Sequence, residues 1–356
     1  MIRHEERLEA DLQALKKRLR DVSADVEKAV RDAIQALLTL DRDLASDTIL
    51  GDMHINRETR EIDKLCHAFV ARHFPSAGIL RFISSALRMD VALERVGDYA
   101  ATICRETLQL REQLSPEIAK DIGAMADQSR NLLEQALRAF NEEDADAAKE
   151  TISLAKHASG MFDRLMEELI HESEEGRRPV RDLFELVLIL IRIERISAQS
   201  KNICEETVFH VKGLTKQPKT YRILFLDRKN DVRSQLAEAF ARKAFPQSGI
   251  YSSAGWEPAE KIDPALVEFM DRYGLSARDA SPHLLEHETH QLAKYHVIVG
   301  LEDGAHDRIG RLPYKTVFQN WGGQPLKDAS SESFEAAYKE IAPKVRDLME
   351  ALQGSG

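Results

Sequence analysis

The sequence predicts a two-domain protein, in which an all-α region of tandem three-helix bundles precedes an α/β domain with a parallel sheet. The chain has 356 residues, which is more than one ordinary hydrophobic core accommodates. Residues 1–213 show apolar positions at helical spacing, whereas residues 221–356 alternate short apolar runs with helical patterns. A polar stretch with glycine and proline, residues 212–219, marks the boundary, and residues 214–220 are the expected linker.

The composition indicates a soluble globular protein and excludes some functions. Hydrophobic residues make up 43% of the chain and charged residues 31%. The net charge of −10 argues against a nucleic-acid-binding surface. No apolar run approaches the roughly 20 residues of an integral membrane segment, and the N-terminus lacks the apolar core of a signal peptide. Three cysteines are too few for a disulfide framework, so a cytoplasmic location is expected.

The first region is predicted to contain six helices. The first carries an apolar stripe, at steps of three and four residues, from Leu8 to Leu37. That near-heptad stripe could form a dimer face as readily as an intrachain core, so a homodimer is one expected assembly. Proline, glycine or an N-cap signal marks most of the later breaks. The other five helices are expected at about residues 48–74, 78–113, 115–140, 144–174 and 180–212.

The helical region repeats itself with an offset of one hundred residues. Leu93–Val96 matches Ile193–Ile196, and Glu106 matches Glu206. Such matches at a single offset predict two tandem units of three helices, each burying one face of every helix. The predicted units are residues 1–113 and 114–213.

Two stretches of this repeat resemble the signature of PhoU proteins, the regulators of phosphate transport. They are DVALERVGDYAATI, which begins at Asp90, and IERISAQSKNICEETVFHVKG, which begins at Ile193. Further matches in the second helix are Asp52, Ile55, Asn56 and Asp63. The resemblance covers about residues 1–213 and implies a role in repressing phosphate uptake and in phosphate-starvation signalling. It also implies a phosphate ABC transporter and its sensor histidine kinase as partners, which would hold the protein at the inner face of the membrane.

A stripe of carboxylates follows the third predicted helix. Asp90, Glu94 and Asp98 are spaced four residues apart and therefore lie on one helix face. The resemblance to PhoU implies that such motifs, paired with a motif that ends at Asp63, hold a metal ion, often iron or zinc. Carboxylate oxygens suit a hard divalent cation. The alternative is that Glu94 and Asp98 pair with nearby arginines on a solvated face.

The family pattern of carboxylates is incomplete in this chain. Thr59 stands where the first carboxylate before Asp63 would be. In the second unit Ser159 and Ala198 replace carboxylates, so that only Asp163 and Glu194 are left. A metal ion is therefore expected in the first unit rather than in the second.

The second region is predicted to form a parallel sheet with helices on both faces. The expected strands are residues 223–226, 250–253, 296–301 and 316–318, and the expected helices are 232–244, 264–273 and 333–352. After the first strand, a polar loop with the C-x5-R spacing of a cysteine phosphatase leads into a helix. Strand, tight loop and helix together place N–H groups around a phosphate-like anion. The candidate anion-binding residues are Asp227, Asn230, Arg233 and Ser234.

Residues from about 220 to 352 resemble the low-molecular-weight protein tyrosine phosphatases and arsenate reductases. The matching pieces are Asn230, Arg233 and Ser234, SAG at 253–255, the HVIVGL strand, and Trp321 with Pro325. The resemblance implies a thiolate nucleophile that opens the loop and an aspartate general acid before a proline. Here those positions hold Asp227 and Gln324, and no cysteine follows Cys204. The expected protein is therefore a pseudophosphatase and not an enzyme.

The loop could still bind an anion such as phosphate through Arg233. Asp227 would oppose an anionic ligand, and it could either pair with Arg233 or accept the N–H bonds of the loop. In both cases the loop would carry its own anion, as a self-filled phosphate site. A loop without any ligand function is the alternative. For the whole protein, the alternatives are a phosphatase or arsenate-reductase-like enzyme with an unusual nucleophile, and a purely structural oligomerisation module.

Overall fold

A computed structural model describes most of the chain, which divides into two compact units, Met1–Lys216 and Gln217–Gly356. The division falls inside the stretch 214–220 that was expected to be the linker. The first unit is all-α and the second is α/β with a parallel sheet, so the predicted fold class is confirmed. The described residues are 2–157, 161–216, 219–277, 280–323, 326 and 328–354. None of the helices in these ranges is both long and apolar enough to span a lipid bilayer.

The helices of the first unit follow the predicted order. They are α1 (Ile2–Thr39), α2 (Arg42–His73), α3 (Ala77–Gln109), α4 (Pro116–Asn141), α5 (Ala145–His157), α6 (Met161–Glu174) and α7 (Val180–Lys212). Helix α2 begins at Arg42 and not at about residue 48, because the Asp41 side chain caps it by accepting N–H bonds from Asp43 and Leu44. The predicted helix 144–174 is described as two helices, α5 and α6.

A single hydrophobic core runs through the first unit. The apolar stripe of α1 is buried in it from Leu12 to Leu37, against residues of α2, α3, α4 and α7. The stripe therefore packs within the chain, and it does not supply the dimer face that its spacing also allowed. The three cysteine side chains are buried in the same core, where burial raises the pKa of the Cys66 and Cys204 thiols to about 12.

The internal repeat pairs α3 with α7 in two related places. Ser85 Oγ and Arg88 Nη1 donate to Glu206 Oε2 at 3.1 and 3.0 Å. At the place related by the repeat, Glu106 of α3 shares a hydrogen bond with Glu185 of α7. Burial, and after it the contact with Glu185, raises the pKa of Glu106 to about 7. The repeat therefore has an ion pair in one place and a pair of carboxyl groups in the other.

The second unit is built around a four-stranded sheet. Its strands are β1 (Tyr221–Asp227), β2 (Gly249–Gly255), β3 (Val297–Gly300) and β4 (Val317–Asn320). Its α-helices are α8 (Arg233–Ala244), α9 (Pro264–Arg272), α10 (Thr289–Leu292) and α11 (Ser331–Gln353). The short helix α10 and a 3₁₀ turn at His306–Arg308 were not predicted.

All strands are parallel, in the order β2-β1-β3-β4, so β1 lies inside the sheet. Ile223 and Phe225 face a core shared with α8, α9 and α11. Leu224 and Leu226 face a second core on the opposite side. Burial on both faces explains why β1 is a continuous apolar run. The carboxyl end of this strand delivers Asp227 to the sheet edge where ligands bind in parallel α/β folds.

Candidate functional site

The candidate site lies between the end of β1 and the beginning of α8. Asn230, at the middle of this loop, is fully buried and has a left-handed backbone with φ of 50°. Its Nδ2 donates to Ser234 Oγ at 2.8 Å, and its Oδ1 accepts from the N–H of His283 at 2.7 Å. Asn230 therefore fixes the shape of the loop from inside and does not present its side chain to a ligand.

Strand β2 supports the loop from one side through Gly255. A Cβ atom on this glycine would lie 2.7 Å from the carbonyl oxygen of Arg228 and 2.8 Å from the N atom of Asn230. Only a residue without a side chain allows this approach. The loop carbonyls of Arg228 and Lys229 accept N–H bonds from Glu257 and Ala259, both at 2.9 Å.

Asp227 occupies the centre of the loop. Its side chain is almost completely buried, with 1% of the residue exposed. Oδ1 accepts the N–H of Asn230 at 2.5 Å, and Oδ2 accepts the N–H of Ser234 at 2.8 Å. Burial raises the pKa of Asp227 to about 7, although these hydrogen bonds act in the opposite direction. Asp227 was expected either to pair with Arg233 or to accept N–H bonds of the loop. The structure shows the second of these roles.

Arg233 makes a different contact from those expected. Its Nη2 donates to Glu340 Oε1 on α11 at 2.8 Å, and only 6% of the side chain is exposed. Glu340 also accepts from Lys344 at 3.0 Å. Gly323, with φ of 131°, lies so close that a Cβ atom would be 2.5 Å from Nη2. The guanidinium that would clamp an anion therefore already gives one of its nitrogens to a carboxylate of this chain, while its Nε is buried without a hydrogen-bond partner within the described ranges.

Other N–H groups of the loop are also directed to carboxylates. The N–H of Arg228 donates to Glu302 Oε2 at 3.3 Å. The carboxylate of Asp231 accepts its own N–H and that of Val232, both of which lower its pKa, while the larger effect of burial raises it. Together with the two bonds to Asp227, these contacts occupy most of the donors that would surround a bound phosphate. The loop carries its own carboxylates in the place of a ligand.

Sequence reasoning missed Glu302 and Glu340. Glu302 directly follows the HVIVGL strand, next to β1 in the sheet, so the rule that parallel strands end at one edge was a usable signal. Glu340 lies in an amphipathic helix far along the chain, and no motif marks it. Gln324, which was expected at the position of the general acid, lies outside the described residues.

The predicted metal residues lie between α2 and α3. Asp90 is buried, with 6% exposed, and burial followed by the charges of Asp63 and Glu94 raises its pKa to about 8. Asp98 lies near Asp52 instead. Burial, and after it the negative charge of Asp98, raises the pKa of Asp52. Asp52 was not among the predicted ligands. One carboxylate oxygen each of Asp52 and Asp90 is buried without a hydrogen-bond partner within the described ranges.

These carboxylates do not fit a metal ion as they are arranged. Within the part of the chain that the structure describes, no group of three His, Cys, Asp or Glu side chains could hold one. Asp163 lies in the first turn of α6 and Glu194 within α7, and they belong to no such group either. Arg88, one of the arginines that could have paired with the stripe, bonds to Glu206 instead. The function derived below therefore uses no metal.

Comparison with protein families agrees with the two units. The family model "PhoU domain" matches residues 19–107 and 122–207. The model "Low molecular weight phosphotyrosine protein phosphatase" matches residues 222–355.

Curated relatives and solved structures match the helical unit. The phosphate-specific transport system accessory protein PhoU homolog of Pseudomonas putida is 33% identical over 205 residues, which are 57% of this chain and 80% of the relative. The accessory protein PhoU of Escherichia coli K12 is 28% identical over 204 residues, 57% of this chain and 85% of the relative. The crystal structure of PhoU from Pseudomonas aeruginosa has a TM-score of 0.56 and 31% identity, and the match covers 58% of this chain and 99% of that one. The chain belongs to the PhoU family, and its PhoU domains are joined to a low-molecular-weight phosphatase-like domain.

Proposed function

We propose that this protein is a non-catalytic regulator of phosphate uptake and of phosphate-starvation signalling. Its helical unit would act as an adaptor or sensor, with a phosphate ABC transporter and its sensor histidine kinase as partners at the cytoplasmic face of the membrane. The PhoU relatives are accessory proteins of phosphate-specific transport systems, which supports this proposal. The second unit would contribute a binding surface and no chemistry.

The observation that carries the proposal is the state of Asp227. A carboxylate nucleophile must present a free oxygen to phosphorus, but both oxygens of Asp227 accept N–H bonds and the residue is buried. An approaching phosphate would also meet the charge of Glu302, which lies close enough to raise the pKa of Asp227. Phosphoryl transfer normally requires cations that neutralise this repulsion. Arg233, the cation of the loop, is paired with Glu340.

Hydrolysis of an aryl phosphate tests the non-catalytic part of the proposal. The full chain should show no turnover above the uncatalysed rate, with or without Mg²⁺. The control is Asp227→Asn, which keeps the size of the side chain and removes its nucleophilic oxygen pair. Turnover by the natural sequence that disappears in Asp227→Asn would establish an aspartyl enzyme and overturn the proposal.

Affinity capture tests the regulatory part. Tagged full-length protein, recovered from cells grown with abundant and with limiting phosphate, should retain components of the phosphate transporter or its kinase. The retained amount should differ between the two conditions, because a regulator must bind its partner with different affinity in two states. Failure to recover any of these components under either condition would count against the proposal.

A further inference from the structure

A cleft of about 590 Å³ opens beside the loop of the second unit. Arg228 and Glu302, which meet at the loop, form one part of its wall, and Trp256, Asp303 and Asp307 form others. In an active phosphatase this side of the loop would receive an anionic substrate. The residues that line the cleft in this protein indicate a positively charged ligand instead.

Carboxylates of this chain already engage part of the positive charge at the cleft. Arg228 Nε donates to Glu257 Oε2 at 2.6 Å, and Arg233 Nη2 donates to Glu340 Oε1. The N–H of Arg228 is directed to Glu302, which the charges of both arginines also reach. An anion that entered the cleft would therefore compete with carboxylates for these donors.

Negative groups remain in excess at the same place. Glu302, Asp303 and Asp307 line the cleft, and Arg308 is the basic lining residue besides Arg228 within the described ranges. Asp307 has a contact with the imidazole of His306 at 3.9 Å, which is an ion pair only when that histidine is protonated. The field in the cleft therefore favours a cation.

Glu302 is less hydrated than a carboxylate on an ordinary acidic surface. Its side chain is half-buried; burial and then the charge of Asp231 raise its pKa, while the N–H bond from Arg228 and the charges of Arg233 and Arg228 lower it. A carboxylate in such a position has lost part of its hydration. A cation at this point gains more electrostatic energy than it would at a fully hydrated carboxylate.

Trp256 adds a surface that selects among cations. Its indole is partly buried and packs on the core formed by Leu224, Leu226 and their neighbours, which holds the ring in place. Aromatic faces bind guanidinium groups through cation–π and stacking interactions, and a planar guanidinium also matches a carboxylate with two N–H donors. Trp256 and the half-buried Glu302 line the same cleft, and an aromatic ring together with such a carboxylate suits an arginine side chain.

We propose that this cleft binds an arginine side chain of a partner polypeptide, with Glu302 as its main counter-ion and Trp256 as its stacking wall. The inference rests on the proposed function, in that the second unit binds a partner and does not turn over a phosphate ester. The fold that accepts phosphate esters in related phosphatases would here recognise a positively charged side chain.

Calorimetric titration of the full-length protein tests this inference. The probes are the capped tripeptide acetyl-Gly-Arg-Gly-amide and its citrulline counterpart, which has the same shape without the charge. We expect saturable binding of the arginine peptide that is at least tenfold tighter than binding of the citrulline peptide. Absence of binding, or equal affinity for the two peptides, would overturn the inference.

Variants separate the cleft from the rest of the surface. Glu302→Gln should weaken binding of the arginine peptide at least tenfold, and Trp256→Phe, which preserves an aromatic ring, should weaken it several-fold. The matched control is Glu268→Gln on the exposed face of α9, which should leave the affinity unchanged. Circular dichroism establishes that each variant is folded. Equal weakening by Glu302→Gln and Glu268→Gln would show a non-specific charge effect and reject the site.

Failure of the inference can be told apart from failure of the proposed function. Hydrolysis of an aryl phosphate by the natural sequence would overturn the non-catalytic function, whatever the peptides do. No hydrolysis together with no arginine binding would reject only the cleft as an arginine site. Tighter binding of a phosphotyrosine peptide than of the arginine peptide would reject it as well.

Discussion

At Asp227, burial and hydrogen bonding act on one carboxyl group in opposite directions. The N–H bonds from Asn230 and Ser234 favour the ionised form, whereas removal from water favours the protonated form. Burial has the larger effect and raises the pKa to about 7, while the two N–H bonds hold the side chain in the loop. Because Asp227 satisfies these N–H groups, the loop keeps its shape without an external ligand.

Substitution of Asp227 should expose the anion site that it fills. Asp227→Ala removes the charge and releases the N–H groups of Asn230 and Ser234. We expect inorganic phosphate to bind the variant more tightly than the natural protein, by at least tenfold, in a calorimetric or NMR titration. The exposed Asp271→Ala serves as the control for a general change of charge. Unchanged phosphate affinity in Asp227→Ala would show that the site is not self-filled.

The sequence was sufficient to identify Asp227, Arg233 and Asn230 but not their partners. Local spacing alone identifies Asp227, because it lies six positions before Arg233, between a strand and a helix. The contact of Arg233 with Glu340 depends on how α11 packs against α8. Such tertiary packing cannot be read from local sequence spacing. Glu302 lies between these cases, because the sheet order that brings it to β1 follows from general rules.

At the scale of elements, helix α11 holds the loop through the ion pair between Glu340 and Arg233. Glu340→Gln should lower the free energy of unfolding by about 1–3 kcal/mol, since it leaves a buried guanidinium without its counter-ion. The value stays below that of a fully buried pair because 39% of the Glu340 side chain is exposed. Chemical denaturation measures the change.

Glu335→Gln provides the control on the same helix. Glu335 pairs with Lys339 at 2.7 Å, but Lys339 is 71% exposed, whereas Arg233 is only 6% exposed. Its substitution should change stability little. Equal losses in Glu335→Gln and Glu340→Gln would mean that the contact with Arg233 contributes nothing specific.

The pairing of α3 with α7 gives a prediction about pH. The pKa of Glu106 rises from its ordinary 4.5 to about 7 in the folded protein. Between these values the folded state binds more protons than the unfolded state, so the free energy of unfolding falls as pH rises through this window. Arg105 and Arg192 oppose the shift, and Arg181 lies 3.8 Å from Glu185.

Glu106→Gln replaces the shared proton with a permanent amide N–H donor to Glu185. At pH 8 the variant should therefore melt above the natural protein, by about 2–4 °C for a gain near 1 kcal/mol in a domain of this size. At pH 5 the difference should disappear. The control is the repeat-related Glu206→Gln, which loses an ion pair with Arg88 and should melt lower at pH 8. A lower melting point for Glu106→Gln at pH 8 would contradict the shared proton.

Helical periodicity and breaks predicted the order of the helices and the sheet class, but the limits of α2 show what local patterns miss. The sequence predicts that this helix begins at about residue 48, after an acidic segment. Asp41 is instead an N-cap, and the residues after it continue into the helix. The same residue types favour both breaks and caps, and only the hydrogen bonds of the folded chain distinguish them.

At the scale of the whole molecule, each unit has its own hydrophobic core. Scanning calorimetry of the full chain should therefore show two unfolding transitions. Leu93→Ala, which creates a cavity in the core of the first unit, should lower the first unit's transition without moving the other. Phe269→Ala should do the reverse. A single transition that both substitutions shift equally would show that the units unfold together.

The pair between Arg233 and Glu340 also bears on how this domain could change over evolutionary time. A cysteine introduced at position 227 would supply a thiolate, yet the guanidinium of Arg233 would still be bound to Glu340 of α11. Gain of phosphatase activity would then require changes at two positions that lie far apart in the sequence. We expect such a domain to acquire new binding partners more readily than this activity.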